Sequence, residues 1–492
     1  MTRTLRIALI FGVTLGVGAP ALAQTLTASL DKAAAASSDC KKDGAEPCKH
    51  CAEHKANGVE RCNGPKEPDH TTHAAAPAPA APSLERTIGI QYSRAMDQRG
   101  LNIFETSKIA GAEYDGFRLD WGASFTTQVQ DLSHSNTASP VMANGVNQNQ
   151  LQNIGFGFNN STANLYLHSQ VAPGMRVMLS MYLSSRHHNE AWVKDGYLQI
   201  DESPIEFPPL QALMQFLTIK VGHMEINYGD AHFRRSDNGN AMFNPFVGNY
   251  ILDSFTTEIG AEVYIKANNA IAMGAVTGGE LRGTVLTPEK RGPAFIGKLG
   301  YDRQVNDDLR VRLTGSVYKA NKSSSNTLHS GDRAGSRYYW VMENTAATET
   351  GNFRSGLIVP GFSNEVTALM VNPFVKVRGL ELFGVLERVE GRASTEPDDR
   401  VWKQFAVDAV YRFLPGEQLF VGGRYNTARG ELKGVAEEVR VNRYELGGGW
   451  FITPSVLAKV EYVNQEYKDF PKANILNGGR FKGFMLEGVI GF

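Results

Sequence analysis

From about residue 87 to its end, the chain consists of short segments in which apolar and polar side chains alternate. A period of two puts successive side chains on opposite faces, so these segments read as strands with one apolar face. Phe117, Leu119, Trp121, Ala123 and Phe125 alternate with Arg118, Asp120, Gly122 and Ser124. Leu217, Ile219 and Val221 face away from Thr218 and Lys220, and Phe405, Val407, Ala409 and Tyr411 away from Gln404, Asp408 and Arg412. Sixteen such segments are expected: 117–131, 160–171, 174–185, 191–201, 216–225, 256–266, 270–277, 293–303, 309–320, 363–376, 379–391, 401–413, 417–430, 439–451, 455–467 and 480–492. Two stretches, 191–201 and 366–386, are ambiguous in phase.

The chain has 492 residues, 42% of them hydrophobic, and a mean hydropathy of −0.28. Only residues 7–23 form a long apolar run. That run follows Arg3 and Arg6 and ends Ala21-Leu22-Ala23, the pattern of a cleaved secretory signal over residues 1–23; the alternative is a retained N-terminal anchor helix. No other stretch approaches the ~20 apolar residues of a transmembrane helix. If the chain crosses a membrane, a closed barrel is therefore the way left to satisfy its backbone. A formal charge of −1 argues against nucleic acid as a partner.

The connections carry more information than any single strand. At one end they are tight: Ala172-Pro173-Gly174, Asn268-Asn269, Asn306-Asp307-Asp308, Val377-Arg378, Leu414-Pro415-Gly416 and Thr453-Pro454, with 202–215 the long exception. At the other end lie long polar stretches, including 132–159, 226–255 and 321–362. Short turns at one end and long loops at the other are the asymmetry of outer-membrane barrels. Strands of this length suit a tilted span of about 9–11 residues, whereas a soluble sandwich uses about 5–6. No fixed-period repeat points to a β-helix. The expected fold is thus all-β, a transmembrane antiparallel β-barrel of about sixteen strands over 87–492. It follows a low-complexity periplasmic segment, 24–86, with a Cys/His insert and an Ala/Pro linker.

The last strand ends on Phe492, and a terminal aromatic in an amphipathic strand resembles the ending of bacterial outer-membrane barrels. Its expected partner is the first strand, near Phe117, with the ring toward lipid. The stretch Asp195-Gly196-Tyr197-Leu198-Gln199-Ile200, then Leu217-Thr218-Ile219-Lys220-Val221-Gly222-His223-Met224 and a long loop, resembles the phosphate-selective porin superfamily. The resemblance lies in strand order and spacing over 117–492. It implies an outer-membrane channel, a homotrimer, and lipid and lipopolysaccharide as surroundings. It does not imply phosphate, because members differ in substrate, and no dedicated lysine cluster is apparent.

In sixteen-stranded porins the third external loop narrows the pore, and residues 225–255 fall at that place. They offer Asp230, His232, Arg234, Arg235 and Asp237 among Tyr228, Phe233, Phe243 and Phe246. Charges at a constriction select ions through their local field; the plain alternative is a solvated external loop. A catalytic role for His232 is poorly supported, since no nucleophile accompanies it. By phase, the lumen receives Arg118, Arg176, Lys220, Lys298, Arg310, Arg312, Arg412, Arg424, Arg443 and Lys459. It also receives Asp120, Glu258, Glu262, Asp408, Glu445, Glu461 and Glu487. The slight basic excess suggests a weak anion preference, although structural pairing is the commoner role for any one of them. The expected function is passive diffusion of small hydrophilic solutes, with no cofactor and no bond made or broken. The alternative is a structural or surface-interaction barrel with a plugged pore.

The four cysteines, Cys40, Cys48, Cys51 and Cys62, precede the barrel and lie close to His50 and His54. Two disulfides or a tetrahedral metal site both fit this spacing. Ala52 after Cys51 excludes a c-type haem site.

Overall fold

The computed structural model describes residues 89–492, apart from 106–107, 109–110, 185–189, 282, 284, 332–336 and 350. The signal segment, the cysteine insert and the Ala/Pro linker lie outside the described residues. The described residues belong to one compact unit, 82–492.

Sixteen long strands run in sequence order. The first eight are β1 Arg118–Ser135, β2 Thr162–Ala172, β3 Met175–Ser184, β4 Glu190–Ile200, β5 Leu217–Glu225, β6 Thr257–Ala267, β7 Ala270–Thr277 and β8 Ala294–Asn306. The second eight are β9 Leu309–Ala320, β10 Glu365–Val377, β11 Leu380–Arg392, β12 Arg400–Phe413, β13 Leu419–Glu431, β14 Glu438–Thr453, β15 Val456–Lys468 and β16 Arg480–Gly491. Each pairs antiparallel with its neighbours, and β1 pairs with both β2 and β16. The sheet therefore closes on itself, which removes both edges and satisfies the ladder all the way round. The two-residue strand Gly157–Phe158 adds to β1 beyond the end of β2.

The tight turns are made where side-chain chemistry permits them. Asn268 and Asn269 both take positive φ (49° and 69°), the geometry of a two-residue hairpin turn that follows the strand twist. The long link between β4 and β5 holds a short helix, Pro208–Met214. Of the two segments ambiguous in phase, the first contains a register shift opposite Ser180/Met181, and Lys194 and Asp195 are both buried in succession. A bulge of this kind breaks strict alternation. In the second, Pro373 stands in mid-strand with no ladder donor, and a Cβ on Gly384 would come within 2.8 Å of the proline ring.

The partition of side chains is inverted relative to a soluble protein. Leu119, Trp121, Phe295, Leu299, Leu313, Leu386, Phe405 and Leu446 are exposed on the outside, while Arg424, Asp408, Glu445, Arg443 and Lys459 are each at most 3% exposed on the inside. Apolar surface on this scale suits lipid rather than water. Leu386, in the middle of β11, gives a direct check. Leu386→Arg is expected to destabilise the bilayer-inserted barrel by about 2–4 kcal/mol, read from denaturant unfolding in liposomes. The volume-conserving Leu386→Met should change it by less than about 1.5 kcal/mol.

Phe492 closes the barrel. Its N–H donates to the Ala123 carbonyl (3.0 Å) and its carbonyl accepts from Ala123 N–H (2.9 Å). Its ring meets Trp121 edge-on at 5.6 Å. The terminal residue thus sits on the first strand several residues further along than Phe117, because β1 starts below its neighbours and overhangs the end of β16.

Candidate functional site

The chain from 226 to 256 leaves β5, enters the barrel and returns to β6. Nearly all of it is buried, including Tyr228, Asp230, Arg234, Ser236, Val247 and Ile251. The peptide groups of such a segment need partners once water is excluded, and the inner wall supplies them. Asn238 Nδ2 donates to the Ala163 carbonyl on β2 (2.6 Å), and the Thr126 hydroxyl on β1 donates to the Gly239 carbonyl (2.6 Å). Lys459 Nζ on β15 donates to the carbonyls of Ala241, Asn244 and Phe246 at 3.0–3.1 Å. Val247 N–H donates to Glu461 (2.7 Å), Ile251 N–H to Asn426 (2.7 Å) and Leu252 N–H to Gln404 (2.8 Å). The segment is stitched to strands on opposite sides of the barrel.

Asp230 is the most heavily bound residue of the segment. Its carboxylate accepts from Arg312 Nε and Nη2 (2.8 and 2.9 Å) and from the Thr314 hydroxyl (2.8 Å), and it pairs with Lys298 Nζ at 2.6 Å. Its N–H donates to Asn372 Oδ1 (2.7 Å). Glu105, from the chain before β1, joins the same cluster through Arg312 (2.8 Å) and Lys298 (3.0 Å). Burial alone would raise both carboxyls, but Lys298 and Arg312 outweigh it and hold Asp230 and Glu105 below the ordinary carboxylate range. The stability they contribute is therefore complete above the ordinary carboxyl pKa of ~4 and is lost as pH falls through their lower folded values. The expected result is that the inward segment loosens in acid but not on raising the pH from neutral. Protease accessibility of 226–256 in the refolded barrel, followed from neutral pH downward, checks it.

The other expected loop residues are also placed inside. Arg234 pairs with Glu381 (3.4 Å), bonds Asn102, and lies over the rings of Phe374 and Phe383. Arg235 grips Asp253 through Nε and Nη2 (2.8 and 2.5 Å) and sits over Phe255. Asp237 receives Lys194 Nζ at 2.6 Å and the Tyr182 hydroxyl. His232 lies between Glu225 Oε1 (2.9 Å) and Asn227 Oδ1 (3.0 Å), so its ring nitrogens serve the loop's own frame.

The ten basic wall residues all turn inward, in three settings. Lys298, Arg312, Arg412, Arg424, Arg443 and Lys459 are buried against the inward segment and acids. Arg424 binds Asp408 (2.7 and 2.9 Å) and the Gly248 carbonyl (2.8 Å), Arg412 binds Glu381 (2.8 Å), and Lys459 pairs with Glu487. Arg443 donates to the carbonyls of Asn249 and Gly356. Arg176 donates to Gln199 (2.7 Å) and Lys220 approaches Glu262 (3.9 Å). Arg118 and Arg310 lie nearer the turn end, bonded to Asp115 and Asp302.

Two further segments fill the lumen that sequence reasoning did not single out. Residues 89–105 bring Asn102 to Glu381 (2.6 Å), Phe104 against Phe374 and Phe233, and Glu105 to the Asp230 cluster. The long connection 321–364 adds Leu328, Val341 and Met342 to an apolar cluster with Phe374, Phe383 and Trp402. Its Tyr338 hydroxyl lies 2.7 Å from both Glu445 and Glu461. The only available signal was the apolar content of these loops, which a solvated segment does not need. Among the cavities near the ends are one of about 970 Å³ at the turn end, floored by Leu101 and Asn102, and one of about 480 Å³ at the loop end, beside Tyr339 and Trp340.

No family model and no curated protein matches the chain. Among solved structures, OmpT, an outer membrane protein of Vibrio cholerae, is 11% identical over 77% of this chain and 99% of its own, with a TM-score of 0.46. The anion-selective porin from Comamonas acidovorans is 12% identical over 76% and 100%, with a TM-score of 0.45. The outer membrane channel DcaP of Acinetobacter baumannii is 10% identical over 77% and 99%, with a TM-score of 0.46. These are likenesses of overall fold.

Proposed function

We propose that the chain is a bacterial outer-membrane channel for small hydrophilic solutes, with its path set by the inward segment 226–256. The observation that carries this reading is a closed, lipid-compatible barrel whose inner wall and inward loop are both lined with charged and amide groups. Such a wall tolerates water and polar solutes, which a lipid face does not. The constriction is assigned to Asp230, His232, Arg234, Arg235 and Asp237, and selectivity to the ten basic wall residues. Diffusion is passive, and no chemical step belongs to the reading. A homotrimer is the assembly implied by the porin resemblance.

A weak anion preference is read from the ten basic against seven acidic residues that strand phase turns inward, an excess that Asp302, Glu381 and Glu387 on the same wall reduce. It is weak because the basic groups are mostly answered by a nearby acid, as Arg424 is by Asp408 and Lys459 by Glu487. Reversal potentials under a salt gradient in a planar bilayer test it, and cation selectivity overturns it. The second reading, a structural or surface-interaction barrel with a plugged pore, is favoured by the burial of the wall charges themselves. Single-channel recording of the refolded protein separates the two. Stable open-pore currents support the channel; a silent bilayer with the barrel intact supports the plug.

A further inference from the structure

The loop-end cavity of about 480 Å³ has a different chemistry from the rest of the interior. Among the described residues no lysine or arginine lines it, and its polar walls are the amides of Gln130, Gln152, Asn153, Asn159 and Asn160. Its aromatic surface comes from Phe158, which is 75% exposed, with Tyr339 and Trp340. Glu349 is its one acid. Its size falls in the range of small-molecule sites.

One side of the cavity is held rigid. Gln130 Oε1 accepts from Tyr339 N–H (3.0 Å) and its Nε2 donates to the Tyr339 carbonyl (2.9 Å), so side chain and peptide clamp each other. Asn159 Nδ2 donates to the same Oε1 (3.2 Å), which fixes Asn159 with its carbonyl oxygen still available. Gln152 is held by its backbone: its N–H donates to the Glu343 carbonyl (2.8 Å), and its own carbonyl faces His134 Nε2 (2.7 Å). Its side-chain amide is thereby left to the cavity. Trp340 takes φ +63°, a left-handed backbone that costs energy for a bulky residue. Strain of that kind persists where the surroundings over-determine it, and ligand clamps are among such places. Gly155 and Gly157 complete the lining, and a Cβ on either would meet no atom within 4 Å.

We propose that this cavity binds a neutral, hydroxyl-rich glycan at the loop-end mouth of the barrel. An amide offers a donor and an acceptor side by side, which matches adjacent hydroxyls that each donate and accept. An aromatic face carries partial negative charge and suits the C–H face of a sugar ring. Glu349, with no cation among the described lining residues, disfavours an anionic solute. The site gives the proposed channel a substrate class, and its role in uptake rests on that reading.

Titration of the full chain, refolded in detergent micelles, with maltohexaose, followed by tryptophan fluorescence and calorimetry, tests the site without requiring an open pore. Binding is expected with Kd of about 1 mM, weakened about tenfold or more by Trp340→Ala and by Gly155→Leu, and less by Trp340→Phe. An oligogalacturonate should bind more weakly than maltohexaose. Oligogalacturonate binding as tight as that of maltohexaose, no binding of maltohexaose, or binding indifferent to Trp340→Ala and Gly155→Leu overturns it. Glycan binding by a barrel that carries no current sinks only the channel reading, and currents without glycan binding sink only this one.

Discussion

Replacing residues 226–256 by a short glycine-rich hairpin turn should raise single-channel conductance several-fold. The graft is geometrically simple, because Glu225 and Thr257 are already a cross-strand pair at the ends of β5 and β6. The segment removed is the one that spans the lumen from β2 to β10, eight strands round the ring, so its loss clears the path between them. What remains behind is largely polar: Arg424, Arg443 and Lys459 exchange loop carbonyls for water, the two arginines keeping Asp408 and Glu445 as counter-ions and Lys459 keeping Glu487. Charges that lose a fixed partner but gain solvent lose little, whereas charges buried without a partner lose much. The barrel should therefore stay closed and heat-modifiable on gels while its current rises. An unchanged current would mean that residues 89–105 and 321–364 close the path by themselves.

The barrel was legible in the sequence because its signal is local. A period of two, read over about ten residues, needs no knowledge of the partner strand, and Asn268-Asn269 or Pro173-Gly174 announces a turn by backbone preference alone. The observed strands begin and end within a few residues of the expected ones, as in Ala270–Thr277 and Leu309–Ala320. Phase failed at the Lys194–Asp195 bulge, where geometry breaks the period, and over 366–386, where alternation holds but the inward face is itself apolar, with Met370, Phe374, Phe383 and Val385 buried. The position of Phe492 was legible only as far as the strand it meets. Register between the first and last strands is set by closure of the whole ring, and no local pattern carries it.

The contents of the lumen were not legible, for the opposite reason. Asp230, Arg312 and Glu105 form one cluster from three distant parts of the chain, and Asn102 finds Glu381 across 279 positions. A polar loop that is going to be solvated and one that is going to line a polar lumen have the same composition. The difference lies in whether the wall opposite offers matching groups. Alternation predicts that Arg312 points inward; it is silent on which carboxylate will be waiting there.

That cluster is where a single substitution should cost most. Asp230 and Glu105 together balance Lys298 and Arg312, whose side chains show no exposed surface. Asp230→Ala leaves one buried positive charge without an answering acid and removes the acceptors of two guanidinium hydrogen bonds and one hydroxyl. Breaking a buried pair from one side costs about 3–5 kcal/mol, and the remaining contacts to Glu105 and Asp302 place the expected value near the lower end. Removing a charge from the other side should recover part of it. Asp230→Ala with Lys298→Met restores the balance at Arg312 and Glu105, so the double variant should be more stable than Asp230→Ala alone. Denaturant midpoints of the four proteins in liposomes form a double-mutant cycle, in which contact between the two side chains appears as a coupling well above about 0.5 kcal/mol. Simple additivity would mean that Asp230 is held by Arg312 and the backbone, with Lys298 a bystander. In that case the anchor of the inward segment would be the guanidinium alone, and Arg312→Met, rather than Lys298→Met, would be the substitution that frees the loop.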